Sequence, residues 1–243
     1  MKAKKSVLVG YKILILLIGM VFIFSGLVFA YNLNEYYPLS QGNSWTYSVI
    51  EDEKNSKNMV KIEGREVINS LETIRMVDSE DSEEESILYV AIDSEGIKMY
   101  KISAENEYEI FNPPITIFPN LEIGQERKDS INSAHYNIEG VKMSEKSITA
   151  NVSLESVEDV EVPAGKFSNC LKFSFIIDWS EANGNYGRDD STMWLALGIG
   201  KVKEFRFSTE FNAETKEKNT GFVIYKLTSA IVDRKEIKEI GSQ

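Results

Sequence analysis

Two stretches concentrate the side chains that could do chemistry. Asp78-Ser79-Glu80-Asp81-Ser82-Glu83-Glu84-Glu85 is the densest run of carboxylates. Hard cations such as Ca²⁺ take carboxylate oxygens, but this run lacks the alternating ligands and turn glycine of a calcium loop. Like charges at this density read as a solvated hairpin tip. In the second stretch, 181–190, oxygen-bearing side chains recur at Glu181, Asn183 and Asn185, with Asp189 and Asp190 beyond. That spacing is nearer to a calcium loop and makes these five the metal candidates, although no full template fits.

Other chemistries are poorly supplied. His135 is the single histidine, so a Ser–His–Asp arrangement is available at one place only, and Ser133-Ala134-His135-Tyr136 carries no nucleophile signature. Cys170 is the single cysteine and sits among Phe167, Leu171 and Phe173, which reads as a small buried residue. No phosphate-cradling loop, dinucleotide fingerprint or zinc spacing occurs. Two facing carboxylates would suffice for a glycosidase, but 38 acidic residues give no basis for choosing them. No cofactor is expected. Trp45, Trp179 and Trp194 could line a groove for a sugar or an apolar ligand; core packing is the stronger reading of these rings.

Period-two alternation is what must position all of these. Phe167, Leu171, Phe173, Phe175, Ile177 and Trp179 share one parity, with Ser168, Lys172, Ser174, Asp178 and Ser180 on the other. Trp45, Tyr47 and Val49 alternate with Ser44, Thr46 and Ser48 in the same way. Turn residues punctuate the runs: Glu95-Gly96, a tight primed turn at Asn183-Gly184, and Pro163 at the second position of Val162-Pro163-Ala164-Gly165. Pro113-Pro114 is expected to stay out of a central strand and to mark a mid-chain boundary. The polar tail 233–243 could form a short helix. The expected fold is all-β, with curved antiparallel sheets closing as an open barrel or a sandwich, in one domain over 31–232.

An internal repeat is also expected, spanning about 36–112 and 119–212. Tyr89 through Ile102 aligns without gaps on Trp194 through Phe207, so that Ala91 meets Ala196, Lys98 meets Lys203 and Lys101 meets Arg206. Asn69-Ser70-Leu71 meets Asn169-Cys170-Leu171. The lead-in Pro38 to Gly42 meets Pro119 to Gly124.

The first thirty residues bear on location. Lys2, Lys4, Lys5 and Lys12 flank the apolar run Ile13–Phe24, which a Ser25-Gly26 break separates from Val28-Phe29-Ala30. Basic, then apolar, then small is the layout of an export signal cleaved after Ala30; an uncleaved membrane anchor is the alternative. Either places the rest outside the cytoplasm, with membrane contact only through 1–30 if uncleaved. No cysteine follows the run to accept a lipid. A formal charge of −11 in 243 residues disfavours nucleic acid and anionic headgroups as partners.

Three ordered motifs carry a resemblance: Pro38-Leu39-Ser40-Gln41-Gly42-Asn43-Ser44-Trp45-Thr46-Tyr47, Val162-Pro163-Ala164-Gly165-Lys166-Phe167, and Trp194-Leu195-Ala196-Leu197-Gly198-Ile199-Gly200-Lys201-Val202-Lys203. With these the sequence resembles a broad family of β-rich bacterial secreted proteins and lipoproteins. The resemblance implies an envelope location and a β architecture, and it brings no activity or catalytic residue. One departure is that the second lead-in, followed by Gln125-Glu126-Arg127, lacks an aromatic like Trp45. Three functions follow as expectations: a non-catalytic envelope module that binds a surface component or builds structure, a carrier of an apolar ligand in an open barrel, and, last, an extracellular hydrolase.

Overall fold

The computed structural model describes residues 31–52, 54–68, 70–80 and 84–238, and residues from Asn32 onward form one unit. The leader 1–30, the tip 81–83 of the acidic run and the tail end 239–243 lie outside the described residues. A four-residue helix, α1 (Leu33–Tyr36), opens the unit, and Asn32 caps it by accepting from the Asn34 amide.

Thirteen strands follow among the described residues. They are β1 (Ser44–Glu51), β2 (Lys54–Ile68), β3 (Leu71–Glu80), β4 (Glu84–Asp93), β5 (Gly96–Ala104), β6 (Glu107–Pro119), β7 (Glu126–Asn137), β8 (Lys142–Val162), β9 (Gly165–Glu181), β10 (Tyr186–Ala196), β11 (Gly200–Phe211), β12 (Lys218–Val232) and β13 (Lys235–Lys238). Each pairs antiparallel with its sequence neighbour, and β1 closes on β12 from Ser44↔Ile231 to Glu51↔Val223. Twelve strands thus make a closed barrel, with β13 added along the end of β12. The all-β expectation holds, and of its two alternatives, barrel and sandwich, the chain forms the barrel. Closure leaves a continuous ladder in place of two long open edges.

Alternation decides which side of β1 is buried. Trp45, Tyr47 and Val49 are inside, while Ser44, Thr46 and Ser48 are half-exposed. At the end carrying α1, Leu33, Tyr36 and Tyr37 are buried, and Tyr37 stacks on Trp45 at 6.1 Å and tilts against Phe118 at 5.2 Å. A second apolar cluster joins Phe111, Ile115, Ile131, Ile148 and Ala150, with Trp179 packed against it.

Three local expectations need correction. Pro113-Pro114 lies within β6 rather than between strands. It does end one ladder: β6–β7 pairing stops at Asn112↔Asn132, because proline has no N–H to continue it. Beyond it Ile115 and Phe118 are buried, the latter against Phe173 and Phe175. The primed two-residue turn at Asn183-Gly184 is instead a longer loop from Glu181 to Tyr186, with Asn183 accepting from the Asn185 amide. The tail forms strand β13 rather than a helix, since Lys235–Lys238 can satisfy its backbone groups on Ser229–Val232.

The two six-strand halves, β1–β6 and β7–β12, share backbone devices. Gly42 (φ 92°) and Gly124 (φ 84°) both take the left-handed conformation that glycine tolerates. The Gly42 amide donates to Ile62 and the Gly124 amide to Leu154, while Ile62 and Leu154 donate back to Asn43 and Gln125. Next to each comes a bulge, at Glu63 in β2 and Glu155 in β8, whose glutamates pair with Arg75 and Lys172. Bulges also fall at Tyr89/Val90 and Trp194/Leu195. The gapless alignment fails past that point. Tyr89 pairs with Lys101 and Trp194 with Lys203, so Lys203 corresponds to Lys101 rather than Lys98. The second hairpin is shorter, with seven residues (Leu195–Lys201) where the first has ten (Val90–Met99). The proposal of two related halves rests on these shared devices.

Candidate functional site

A cavity of about 430 Å³ lies inside the barrel. One wall is apolar: Met76, Leu88, Met99, Ile117, Phe175 and Ile177, from β3, β4, β5, β6 and β9, face it. The lining from β10 and β11, next to β9, is mostly polar, with Asp189, Ser191, Lys201, Glu204 and Arg206 beside Met193. Tyr37, just past the helix, borders it, and Asp78 faces it from β3.

The polar wall depends on a bulge. Strand alternation puts Glu204 and Arg206 on one face of β11 and would send Lys201 to the other. At the β10–β11 register shift Trp194 pairs with Lys203 and Leu195 with Lys201, so Val202 is the extra residue. A bulge of this kind re-aims the neighbouring side chain, and here it brings Lys201 to the same face. Lys201 then donates to one oxygen of Glu204. Arg206 donates to the other from Nε at 3.1 Å and Nη2 at 2.6 Å. Glu204 is wholly buried. Burial raises its pKa most, but the combined pull of Lys201 and Arg206 wins and holds it down at about 2. Glu204 in turn holds the Arg206 guanidinium above its usual range.

Tyrosines line the back of this cluster. The Tyr47 hydroxyl donates to the Lys201 carbonyl at 2.9 Å, and the Lys201 ammonium lies 5.1 Å from the Tyr47 ring centre and 4.8 Å from that of Tyr225. Burial, opposed by Arg206, pushes the Tyr225 phenol up to about 12, and burial raises Tyr37 and Tyr47 as well. Asp189 differs from Glu204. It is half-buried, burial raises its pKa against the pull of Arg206, and no hydrogen bond or ion pair joins it to Arg206. Asp78 accepts from the Asn58 amide group.

A smaller hollow of about 200 Å³ adjoins the first through Ile102 and is lined by Ser86, Tyr108, Glu107, Glu109, His135 and Lys146. His135 Nε2 lies 3.0 Å from Glu107, whereas the Ser133 hydroxyl donates to Glu109. The serine and the histidine therefore engage different carboxylates, and no nucleophile–base pair forms between them.

The structure scatters the sequence's metal candidates. Glu181 accepts from Asn183 and Asn185 at 3.1 and 2.9 Å, and Asn185 accepts from the Ala213 amide, so these groups fasten the loop itself. Asp189 faces the cavity, whereas Asp190 is held by Arg188 on the other face of β10. Among the described residues no three His, Cys, Asp or Glu side chains gather to hold a metal.

The three tryptophans do not share a groove, and none lines the cavity. Trp45 is buried and donates to the Ile199 carbonyl at 2.5 Å. Trp194 donates to Glu158 at 2.6 Å beneath Lys172 and Lys203. Trp179 covers Gly187 on the neighbouring strand, where an added Cβ would come within 2.4 Å of the indole. Lys201, Glu204 and Arg206 escaped the sequence reading. The available signal was a strand whose charges (Glu204, Arg206) alternate with aromatics (Phe205, Phe207). In β11 the aromatics are the exposed set, at 40% and 42%.

No protein-family model matches the sequence, and no curated protein matches it significantly. Among solved structures the chain is similar to a candidate exported protein with a YmcC-like fold from Bacteroides fragilis NCTC 9343. That match has 16% identity and a TM-score of 0.46, covering 79% of this chain and 98% of that one. It is also similar to a candidate lipoprotein from Parabacteroides distasonis ATCC 8503, with 12% identity, a TM-score of 0.41 and the same coverage. No residue's role is carried over from either.

Proposed function

We propose that this chain is an exported, non-catalytic binding protein of the cell envelope that holds one amphiphilic molecule inside its barrel. The observation that carries the reading is the cavity of about 430 Å³, apolar along β3–β6 and β9 and charged along β10–β11. That volume falls within the range of sites that enclose small organic ligands, and a few placed polar groups amid apolar walls is their usual make-up. Of the three expected functions, the interior cavity favours the carrier. Its border is Tyr37 and Phe118 rather than the tryptophans.

Export rests on the order of Lys2–Lys12, Ile13–Phe24 and Val28–Ala30, and on the family motifs. A non-catalytic role is supported by geometry: both oxygens of the buried Glu204 are bonded by Lys201 and Arg206, and Ser133 and His135 engage different carboxylates. A second reading is docking to another surface protein. The outward Phe205 and Phe207, with Phe222 packed edge-on to Phe205 at 4.7 Å, favour it.

Native mass spectrometry of protein purified from its own host tests the proposal. The expected result is an added mass that leaves on denaturation and partitions into organic solvent, on a polypeptide beginning at Tyr31. A polypeptide of bare mass that also leaves apolar fluorescent probes unbound would overturn the carrier reading. Recovery of the full-length chain from the cytosol would overturn export.

A further inference from the structure

We infer that the cavity selects an amphiphile with a cationic head, a primary amine or ammonium, and that Asp189 is the residue that receives it; this rests on the cavity being a ligand site. The charges facing the cavity are unequal. Asp78, Asp189 and Glu204 stand against Lys201 and Arg206, leaving one negative charge in excess. Distribution matters more than the count. Both cations already bond Glu204: Lys201 one oxygen, and Nε and Nη2 of Arg206 the other. An incoming carboxylate or phosphate is left only their remaining N–H groups, beside the Glu204 carboxylate and with Asp78 and Asp189 facing the same cavity.

Asp189 is in the opposite situation. It faces the cavity beside Ser191, burial disfavours its charge, and no cation is bonded to it. A half-buried carboxylate that feels Arg206 only through space, with no bonded counter-ion, is poorly compensated, and a ligand cation bonded there supplies the missing partner while the apolar lining takes the tail. The field of the whole chain, with a formal charge of −11, also draws cations and repels anions. Asp78 is less available, because the Asn58 amide already donates to it.

Dodecylamine, dodecanol and dodecanoate, titrated below micelle-forming concentrations into delipidated protein by calorimetry, share one tail and differ in head charge. The expected order is amine, alcohol, carboxylate, with the amine about tenfold to a hundredfold tighter than the alcohol, as for one charge-assisted hydrogen bond in a shielded site. Asp189→Asn should bring the amine to the level of the alcohol and leave the alcohol unchanged. Asp190→Asn, next in sequence but engaged by Arg188 on the other face, should alter neither. Dodecanoate binding tighter than dodecylamine would overturn the inference whether or not the variants fold. So would an equal loss of amine binding in Asp189→Asn and Asp190→Asn, which would mean general surface attraction. If the probes bind without distinction of head, the charge selection fails and the cavity stands. If none binds, the carrier reading itself falls.

Discussion

Replacing Glu204 by Gln tests the charged wall most directly. The change keeps the shape but turns one of the two acceptor oxygens into an NH2 donor and removes the one charge that Lys201 and Arg206 share. Its size follows from the acid's own titration. The carboxyl moves from an ordinary 4.5 to about 2 on folding, and each unit is worth about 1.4 kcal/mol, giving roughly 3 kcal/mol. The carboxylate is 0% exposed, but the Arg206 side chain is 41% exposed and solvent screens its share, so this figure is an upper one. Removing one member of a buried ion pair costs about 3–5 kcal/mol in general, and the low end suits cations that face a cavity. The folded-state pKa is depressed, so this stabilisation is complete above pH 4.5 and drains away as pH falls toward 2. Urea unfolding followed by tryptophan fluorescence across that range supplies the assay. Glu204→Gln should be up to about 3 kcal/mol less stable at neutral pH, and the two stability curves should converge as acid protonates Glu204 in the parent. A neutral-pH difference below about 1 kcal/mol, or curves that stay parallel into acid, would refute the reasoning.

Three further outcomes are expected. Gly187→Ala drives a Cβ into the Trp179 ring and should cost about 1–3 kcal/mol, whereas Gly187→Ala combined with Trp179→Leu should recover much of it; equal losses in both proteins would refute the contact. Trp45→Ala should lose about 3–5 kcal/mol in thermal or urea unfolding, since it empties a buried site and removes the donor to Ile199; an unchanged midpoint would deny the core assignment. Burial, helped by nearby Asp159, pushes the Cys170 thiol up to about 11, so iodoacetamide at mildly alkaline pH should leave the native chain unlabelled and label it in urea. Native labelling at the rate of a free thiol would contradict that burial.

β1 and β9 were readable because their apolar residues share a parity and the polar residues hold the other, so pattern and burial agree. The Val162–Gly165 turn was readable for a different reason: proline pre-sets the backbone where the hairpin needs it, and Val162 pairs with Gly165. β11 was not. Alternation sorts its residues into Glu204 and Arg206 against Phe205 and Phe207 but leaves open which set turns inward. A strand on a mostly apolar core would turn the phenylalanines in. The structure turns the charges in because Lys201, carried over by the bulge at Val202, joins Arg206 in partnering the one fully buried charge, Glu204. A bulge is one extra residue with no required sequence, so neither its position nor the parity change it causes could be read from composition or period.

The bulges at Glu63 and Glu155 escaped notice on the same ground, although they are what the halves share most closely. The aligned segments there have little in common as letters. Their likeness lies in function within the ladder: an extra glutamate, a basic partner one strand on, and a glycine-led turn paired to the residue before it. Past the bulges at Tyr89 and Trp194 the halves diverge. The corresponding lysines, Lys101 and Lys203, lie over those two rings at 5.0 and 4.8 Å, yet the hairpin beyond is three residues shorter in the second half. That shortened hairpin ends on Lys201, and the charges of the wall follow from there along β11, where Glu204 stands at the place of Ile102 in the first half. An unbroken alignment pairs Lys98 with Lys203, whereas the ladder sets Lys101 against Lys203 and so Ile102 against Glu204, an apolar cavity residue in one half against a charged one in the other.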